Sequence, residues 1–214
     1  MRIRLSTQGH ICGGIMTRVN MILSGVGGQG ILTLATVLGT AAILDGYDVR
    51  VSEVHGMSQR GGSVICHVKI GDKINSPLVM EGSADIVISL EASEVLKALH
   101  YLKPSGIIVV NNFELPPPLS MIKGLEYPHL NKIIDDVKEI AGEIYTVDAY
   151  EIAKNIGSPL SANMVILGST WATGKLILSK ESLVKAIAKS FKEHIASMNI
   201  RAFEEGTKMV KKLL

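Results

Sequence analysis

From Val19 onward the chain alternates between short apolar runs and longer stretches with helical spacing. Asn20–Val26 is a strand-length run, followed by a glycine-rich turn. Ile31, Leu32, Leu34, Val37, Leu38, Ile43 and Leu44 then recur around most of a helix predicted from about Gln29 to Asp45, closed by Gly46. Strands are predicted over Asp48–Glu53 and, after a polar loop at 55–62, over Ser63–Ile70. Gly71-Asp72-Lys73 reads as a hairpin turn into a further strand, Ile74–Val79. Asp85–Leu90 is a buried strand with a helix behind it to about Tyr101, and Pro104-Ser105-Gly106 marks a turn before the strand Ile107–Asn111. Consecutive prolines make Leu115–Leu119 an extended loop. A helix over Leu130–Ala141, a short strand over Glu143–Val147 and a helix from an Asp148 cap to near Asn155 follow. Beyond Pro159 the pattern is wholly helical: Ala162–Leu178, Lys180–Ser190 and Lys192–Leu214.

Strands alternating with helices, then helices alone, predict a three-layer Rossmann-like α/β domain with a mostly parallel sheet and a helical C-terminal third. Residues 1–15 show neither period and read as an extension, with the domain running over 16–214. The last helix carries a seam, Ile195, Asn199, Ala202, Gly206, Met209 and Leu213, whose small residues permit close approach of a neighbour; packing within the chain is favoured over a partner.

Composition narrows the function classes. The net charge is +2 with no Lys/Arg-rich block, which speaks against nucleic-acid and membrane-surface roles. Aromatic residues are only 4%, so aliphatic side chains must fill the core. Cys12 and Cys66 are the only cysteines and lie far apart, so the chain is expected to hold no iron–sulfur cluster or zinc alone. His10, His67, His100, His129 and His194 form no helical pair, so no metal site is expected. Two thiols and no apolar leader suit the cytoplasm. Trp171 lies in an apolar helical stretch and is expected in the core or an interface.

Two motifs carry candidate chemistry. Gly25-Val26-Gly27-Gly28-Gln29-Gly30 matches the dinucleotide fingerprint between a strand and a helix, and Glu53 falls where that fingerprint places a ribose-binding acid. Free N–H groups at a helix start favour an anion. The same glycines also suit close strand–helix packing without a ligand, or an anion other than a dinucleotide. The second motif runs Glu53-Val54-His55-Gly56-Met57-Ser58-Gln59-Arg60-Gly61-Gly62-Ser63. It gathers an acid, an imidazole, a guanidinium, hydroxyls and an amide at the carboxyl edge of the sheet, where open α/β sheets bind ligands. Arg60 has the fork to grip a carboxylate or phosphate, and His55 titrates near neutrality. A solvated turn that satisfies its own backbone is the plainer reading.

Together these segments resemble the gamma-type domain of the 2-oxoacid:ferredoxin oxidoreductases, and within it the beta subunits of the indolepyruvate type. The resemblance runs from about Asn20 to the C-terminus and includes Ser76-Pro77, Ala84-Asp85, Leu102-Lys103-Pro104 and the run Asn199–Gly206. Val26 stands where pyruvate-type domains carry Arg, and the second loop departs from their F-G-x-E-x-R-G; both departures point to the indolepyruvate branch. The resemblance implies a complex that converts an arylpyruvate, CoA and oxidised ferredoxin to an acyl-CoA, CO2 and reduced ferredoxin. It also implies that thiamine diphosphate and the iron–sulfur clusters sit on a larger alpha subunit. The one approach to a thiamine motif here, Gly71-Asp72-Lys73 with Asn111-Asn112, is incomplete.

On this reading the chain has no self-contained catalytic residue. It supplies a ligand or partner-site wall from Gly25, Gly27, Gly28, Gln29, Gly30, Glu53, His55, Ser58, Gln59, Arg60, Gly61, Gly62 and Ser63, with Asn163 near the same edge. A stand-alone NAD(P)-binding enzyme and a non-catalytic assembly subunit are the competing readings.

Overall fold

In the computed structural model, which describes residues 17–55, 61–116 and 126–213, the apolar runs form a seven-stranded sheet in the order β2-β3-β1-β4-β5-β6-β7. Its strands are β1 (Arg18–Val26), β2 (Asp48–His55), β3 (Ser63–Gly71), β4 (Ala84–Ser89), β5 (Leu102–Asn111), β6 (Glu143–Val147) and β7 (Lys211–Lys212). The helices are α1 (Ile31–Leu44), α2 (Glu94–Ala98), α3 (Leu130–Val137), α4 (Ala149–Asn155), α5 (Ala162–Ala172), α6 (Lys180–Ser190) and α7 (Glu193–Lys208). β1, β4, β5 and β6 are parallel neighbours, whereas β3 runs antiparallel between β1 and β2, and β7 antiparallel to β6.

Strand alternation sorts the core into two layers. Met21 and Leu23 of β1 face α1 and α4–α7, while Ile22 faces α2 and α3. The central strands are buried on both faces, which is why Met21–Leu23 of β1 and Ile107–Val110 of β5 read as continuous apolar runs. This is the three-layer, mostly parallel α/β fold that the pattern predicts, with most of the helical mass on one face.

α5 and α7 cross with almost no space between them. A Cβ on Gly206 would stand 2.0 Å from the Val165 carbonyl oxygen, and one on Gly168 2.0 Å from that of Phe203. The seam is therefore an internal contact: Asn199, Ala202 and Gly206 are buried, although Ile195, Met209 and Leu213 stay exposed. Trp171 packs on this layer beside Phe203, and its indole N–H donates to the Leu178 carbonyl at 3.1 Å.

Several expectations need correction. Residues 74–79 form no strand; β3 instead returns from β2. Pro77 has no N–H for a ladder, and side chains capture the segment: Ile74 N–H donates to the Asp48 carboxylate at 2.9 Å and Val79 N–H to His67 Nδ1 at 3.2 Å. Burial, with His100 alongside, holds His67 below its ordinary pKa, which keeps Nδ1 an acceptor. Pro104-Ser105-Gly106 lies within β5, absorbed by a register shift opposite Ala84 and Ile86 rather than by a turn. The helix predicted to Leu178 stops at Ala172, because Gly174 takes φ +71° and ends it. The final helix ends at Lys208, and Lys211–Lys212 pair with β6, where Lys212 and Lys175 both bind Glu143, at 3.1 and 2.8 Å. Helix α3 is also shorter than predicted, whereas Asp148 does occupy the N-cap position of α4, with its carboxylate accepting from Asn112 at 2.7 Å rather than from the helix's own N–H groups. The expected extension at 1–15 lies outside the described residues.

Candidate functional site

β1 leads through α1 to one side of the sheet and β4 leads through α2 to the other. Their carboxyl ends therefore border the crevice where an open sheet binds ligands. Gly25 ends β1 with no room for a side chain: a Cβ would come within 2.8 Å of Gln29 Oε1 and Ile31 Cδ1. Gly28 (φ +107°) and Gly30 (φ +81°) turn the chain into α1 through backbone conformations that side chains resist. Gln29 holds the loop closed, its Oε1 accepting from Val26 N–H at 2.8 Å and its Nε2 donating to the Leu90 carbonyl at 3.3 Å.

The second loop joins the first directly. Gly27 N–H donates to the Gly62 carbonyl at 2.8 Å, and Gly61 N–H donates to the Gly27 carbonyl at 3.4 Å. Ser63 continues from this bridge and donates to Glu94 across the crevice. Asn163, at the start of α5, is also drawn in, its Nδ2 donating to the Gly30 carbonyl at 3.3 Å. Glu53 lines a cavity of about 280 Å³ with Val64 and the glycine loop. His55 ends β2 opposite Val64. Ser58, Gln59 and Arg60 lie outside the described residues, as does the His55 side chain.

Residues that the sequence did not place at the site complete the edge. Glu91, just past β4, is 1% exposed and accepts four hydrogen bonds. The donors are Ser93 Oγ at 2.8 Å, Glu94 N–H at 3.0 Å, Leu115 N–H at 3.1 Å, and the Tyr127 hydroxyl. Burial, reinforced by this bond to Glu91, raises the Tyr127 pKa, so the phenol stays a donor. Asn111 bridges β4 to α4, donating to the Leu90 carbonyl at 3.1 Å and accepting from Ala149 N–H at 2.9 Å. Between these elements lies a cavity of about 260 Å³, walled by Gly27, Gly28, Leu90, Phe113, Tyr150 and Leu160. A signal for them existed: polar residues immediately after the strands ending at Ser89 and Asn111 sit at the ligand-binding edge by topology alone.

The described residues do not fit the cofactors that the resemblance implies for the complex. Cys66 is buried, and burial together with the nearby Glu53 charge pushes its thiol up to about 12, far from the thiolate a cluster requires. Gly71 lies opposite Arg18 at the amino end of β1, whereas Asn111 ends β5 at the carboxyl edge. The incomplete thiamine motif is thus split between opposite edges of the sheet.

The dinucleotide reading also meets a geometric obstacle. In that fingerprint the ribose-binding acid ends a strand next to the first strand. Here β3 intervenes, so Glu53 is displaced by a second strand spacing, to about 10 Å from β1.

Comparison with known proteins agrees with this geometry. The model of the pyruvate ferredoxin/flavodoxin oxidoreductase family matches residues 20–209. The indolepyruvate oxidoreductase subunit IorB of Thermococcus kodakarensis is 40% identical over 200 residues, spanning 93% of this chain and 99% of that protein. Its counterpart in Archaeoglobus fulgidus is 36% identical, over 88% of this chain and 94% of that protein. Among solved structures, the keto/oxoacid ferredoxin oxidoreductase gamma subunit of Geobacter sulfurreducens aligns with a TM-score of 0.65 at 26% identity, covering 89% and 96%. Pyruvate oxidoreductase subunit PORC of Thermotoga maritima aligns with a TM-score of 0.71 at 23% identity, covering 92% and 99%, a likeness of fold.

Proposed function

This chain belongs to the pyruvate ferredoxin/flavodoxin oxidoreductase family, and we propose that it is the small subunit of an indolepyruvate:ferredoxin oxidoreductase. In that complex an arylpyruvate, CoA and oxidised ferredoxin give an aryl-acetyl-CoA, CO2 and reduced ferredoxin. The decarboxylation and electron transfer belong to a larger, cytoplasmic partner subunit that carries thiamine diphosphate and the clusters. The observation that carries this reading is the Gly27–Gly62 bridge, which joins the glycine turn to the end of the second loop, with no catalytic set beside it among the described residues. Such a wall shapes a site completed by another chain. The names of the relatives at 36–40% identity support the indolepyruvate branch.

The wall's chemistry is anion reception. The N-terminus of α1 presents backbone N–H groups and a partial positive charge, and the sequence of the second loop carries a full one in Arg60. The carboxylate of the substrate and the phosphates of CoA are the anions in question. The test is a complex reconstituted with Arg60→Ala: CoA-dependent turnover falls while the two subunits still co-purify. Unchanged kinetics would overturn the proposal. Stand-alone NAD(P) chemistry is tested separately, since binding of NADH by the isolated chain would quench or shift nicotinamide fluorescence.

A further inference from the structure

Helix α1 lies on the outside of the sheet, yet its sequence, ILTLATVLGTAAIL, holds no charged residue. Ile31, Leu34, Val37 and Leu38 are buried in the core, whereas Leu32 is 47% and Ile43 66% exposed. Leu32, Thr36, Gly39 and Ile43 follow one another along one side of the helix at steps of four, three and four. Large residues stand at both ends and small ones between, so the row reads the same in either direction. It borders β2: a Cβ on Gly39 would meet only Val49 and Val51, each at 3.9 Å.

β2 is the end of the sheet and pairs with β3 alone. Among the described residues, no backbone hydrogen bond reaches its outer side. Edge strands are ordinarily guarded by proline, a bulge, an unpaired charge or a covering element. β2 has no proline, its register with β3 is unbroken, and its one cation, Arg50, is held by Asp48 at 2.6 Å. Val51, near its middle, is 43% exposed beside the α1 row. An uncharged ridge continuous with an open strand edge marks a contact surface.

Symmetry identifies the occupant. A surface that meets its own copy about a twofold axis must be self-complementary. An axis perpendicular to the sheet beside Val51 lays β2 antiparallel to a second β2, with Val51 opposite itself. Asp48, Arg50 and Glu53 then face Val54, Ser52 and Val49 of the second copy, so no like charges are opposed. Because Val51 touches the level of Gly39, the same axis passes near the middle of the α1 row and sets Leu32 against Ile43 of the other helix. Strands lie about 4.8 Å apart, and α1 packs over β2 and β3. The helix therefore stands about 5 Å from the axis and about 10 Å from its copy, within packing distance.

We propose that the α1 row and the outer edge of β2 form the face on which two copies of this chain meet, joining their sheets edge to edge. The inference stands independently of the substrate reading above, and a complex built on it holds its small subunits as a pair.

The experiment is sedimentation of the full chain over about 1–100 µM, where a dimer is expected. Ile43→Glu, which places a charge against Leu32 of the second copy, should weaken the dimer about tenfold or more. A second measurement reads the axis itself, in a Cys12→Ser background. Residues directly opposite in an antiparallel pair have Cα atoms about 4.5–5.5 Å apart, within disulfide reach, so Val51→Cys should cross-link two chains on mild oxidation. Ile43→Cys should not, because its copy lies about 16 Å away along the helix direction. A chain that stays monomeric to about 100 µM overturns the proposal; loss of co-purification with the larger subunit in Ile43→Glu would then make that subunit the occupant. A dimer that Ile43→Glu leaves intact, or that Val51→Cys fails to cross-link, also overturns it.

Discussion

Replacing Gly30 by Ala strains the glycine loop in two separable ways. The residue sits at φ +81°, ψ 32°, close to the left-handed region, where a side chain costs about 1–2 kcal/mol. The new Cβ would also lie 2.4 Å from Asn163 Nδ2. Asn163 must then swing away and lose its bond to the Gly30 carbonyl, worth about 1 kcal/mol. The total is about 2–3 kcal/mol, or a fall in Tm of about 4–12 °C for a domain of this size. Thermal and denaturant unfolding of Gly30→Ala, Asn163→Ala and the double variant measures the two parts. Asn163→Ala removes the obstacle and forfeits the same bond, so the double variant should be about 1 kcal/mol more stable than the sum of the single losses. Gly28→Ala is the control, because its Cβ meets nothing within 4 Å and only the backbone term at φ +107° applies. Strict additivity, or a Gly30→Ala protein as stable as the parent, would refute the contact.

Three further outcomes follow from other contacts. Glu91→Gln puts an amide among four donors, and should cost about 1–3 kcal/mol and speed hydrogen exchange at Leu115 N–H; unaltered exchange would contradict the hub. Gly206→Ala drives a methyl into the Val165 carbonyl and should cost about 1–3 kcal/mol despite the better helix propensity of alanine, as read by denaturant midpoint. Bonds from Lys175, Tyr145 and Lys212 lower Glu143 from 4.5 to about 2, so its support of the β6–β7 edge is complete above pH 4.5 and disappears as pH falls toward 2. Stability profiles of the parent and Glu143→Gln should therefore converge at low pH; parallel profiles down to pH 2 would contradict the assignment.

The layers were legible because strand and helix periods in the sequence report which faces are buried. Met21, Leu23, Leu34 and Leu38 could be placed in the core from spacing alone. Strand direction was not legible. Ser63–Gly71 has the same apolar pattern whether it runs parallel or antiparallel, and only the pairing with both β1 and β2 reveals the insertion. The false strand at 74–79 has a similar cause: Ile74 and Val79 are buried, but against side-chain acceptors rather than a neighbouring strand. In the site, the glycines announced themselves because their backbone demands are local. Glu91 did not, since its importance depends on burial and on partners along the chain such as Leu115 and Tyr127.

The inserted strand β3 makes the second loop the tip of a β2–β3 hairpin, tethered at its far end to Gly27. A hairpin tip can lengthen or shorten at small entropic cost, about 0.6 kcal/mol per doubling of the loop, without disturbing strand register. Sequence change in that segment is therefore insulated from the core. On the proposed reading, the fixed glycine turn serves as a common receptor for anions while the sequence of the tip changes, an arrangement that lets one scaffold diversify its selectivity by editing a single segment.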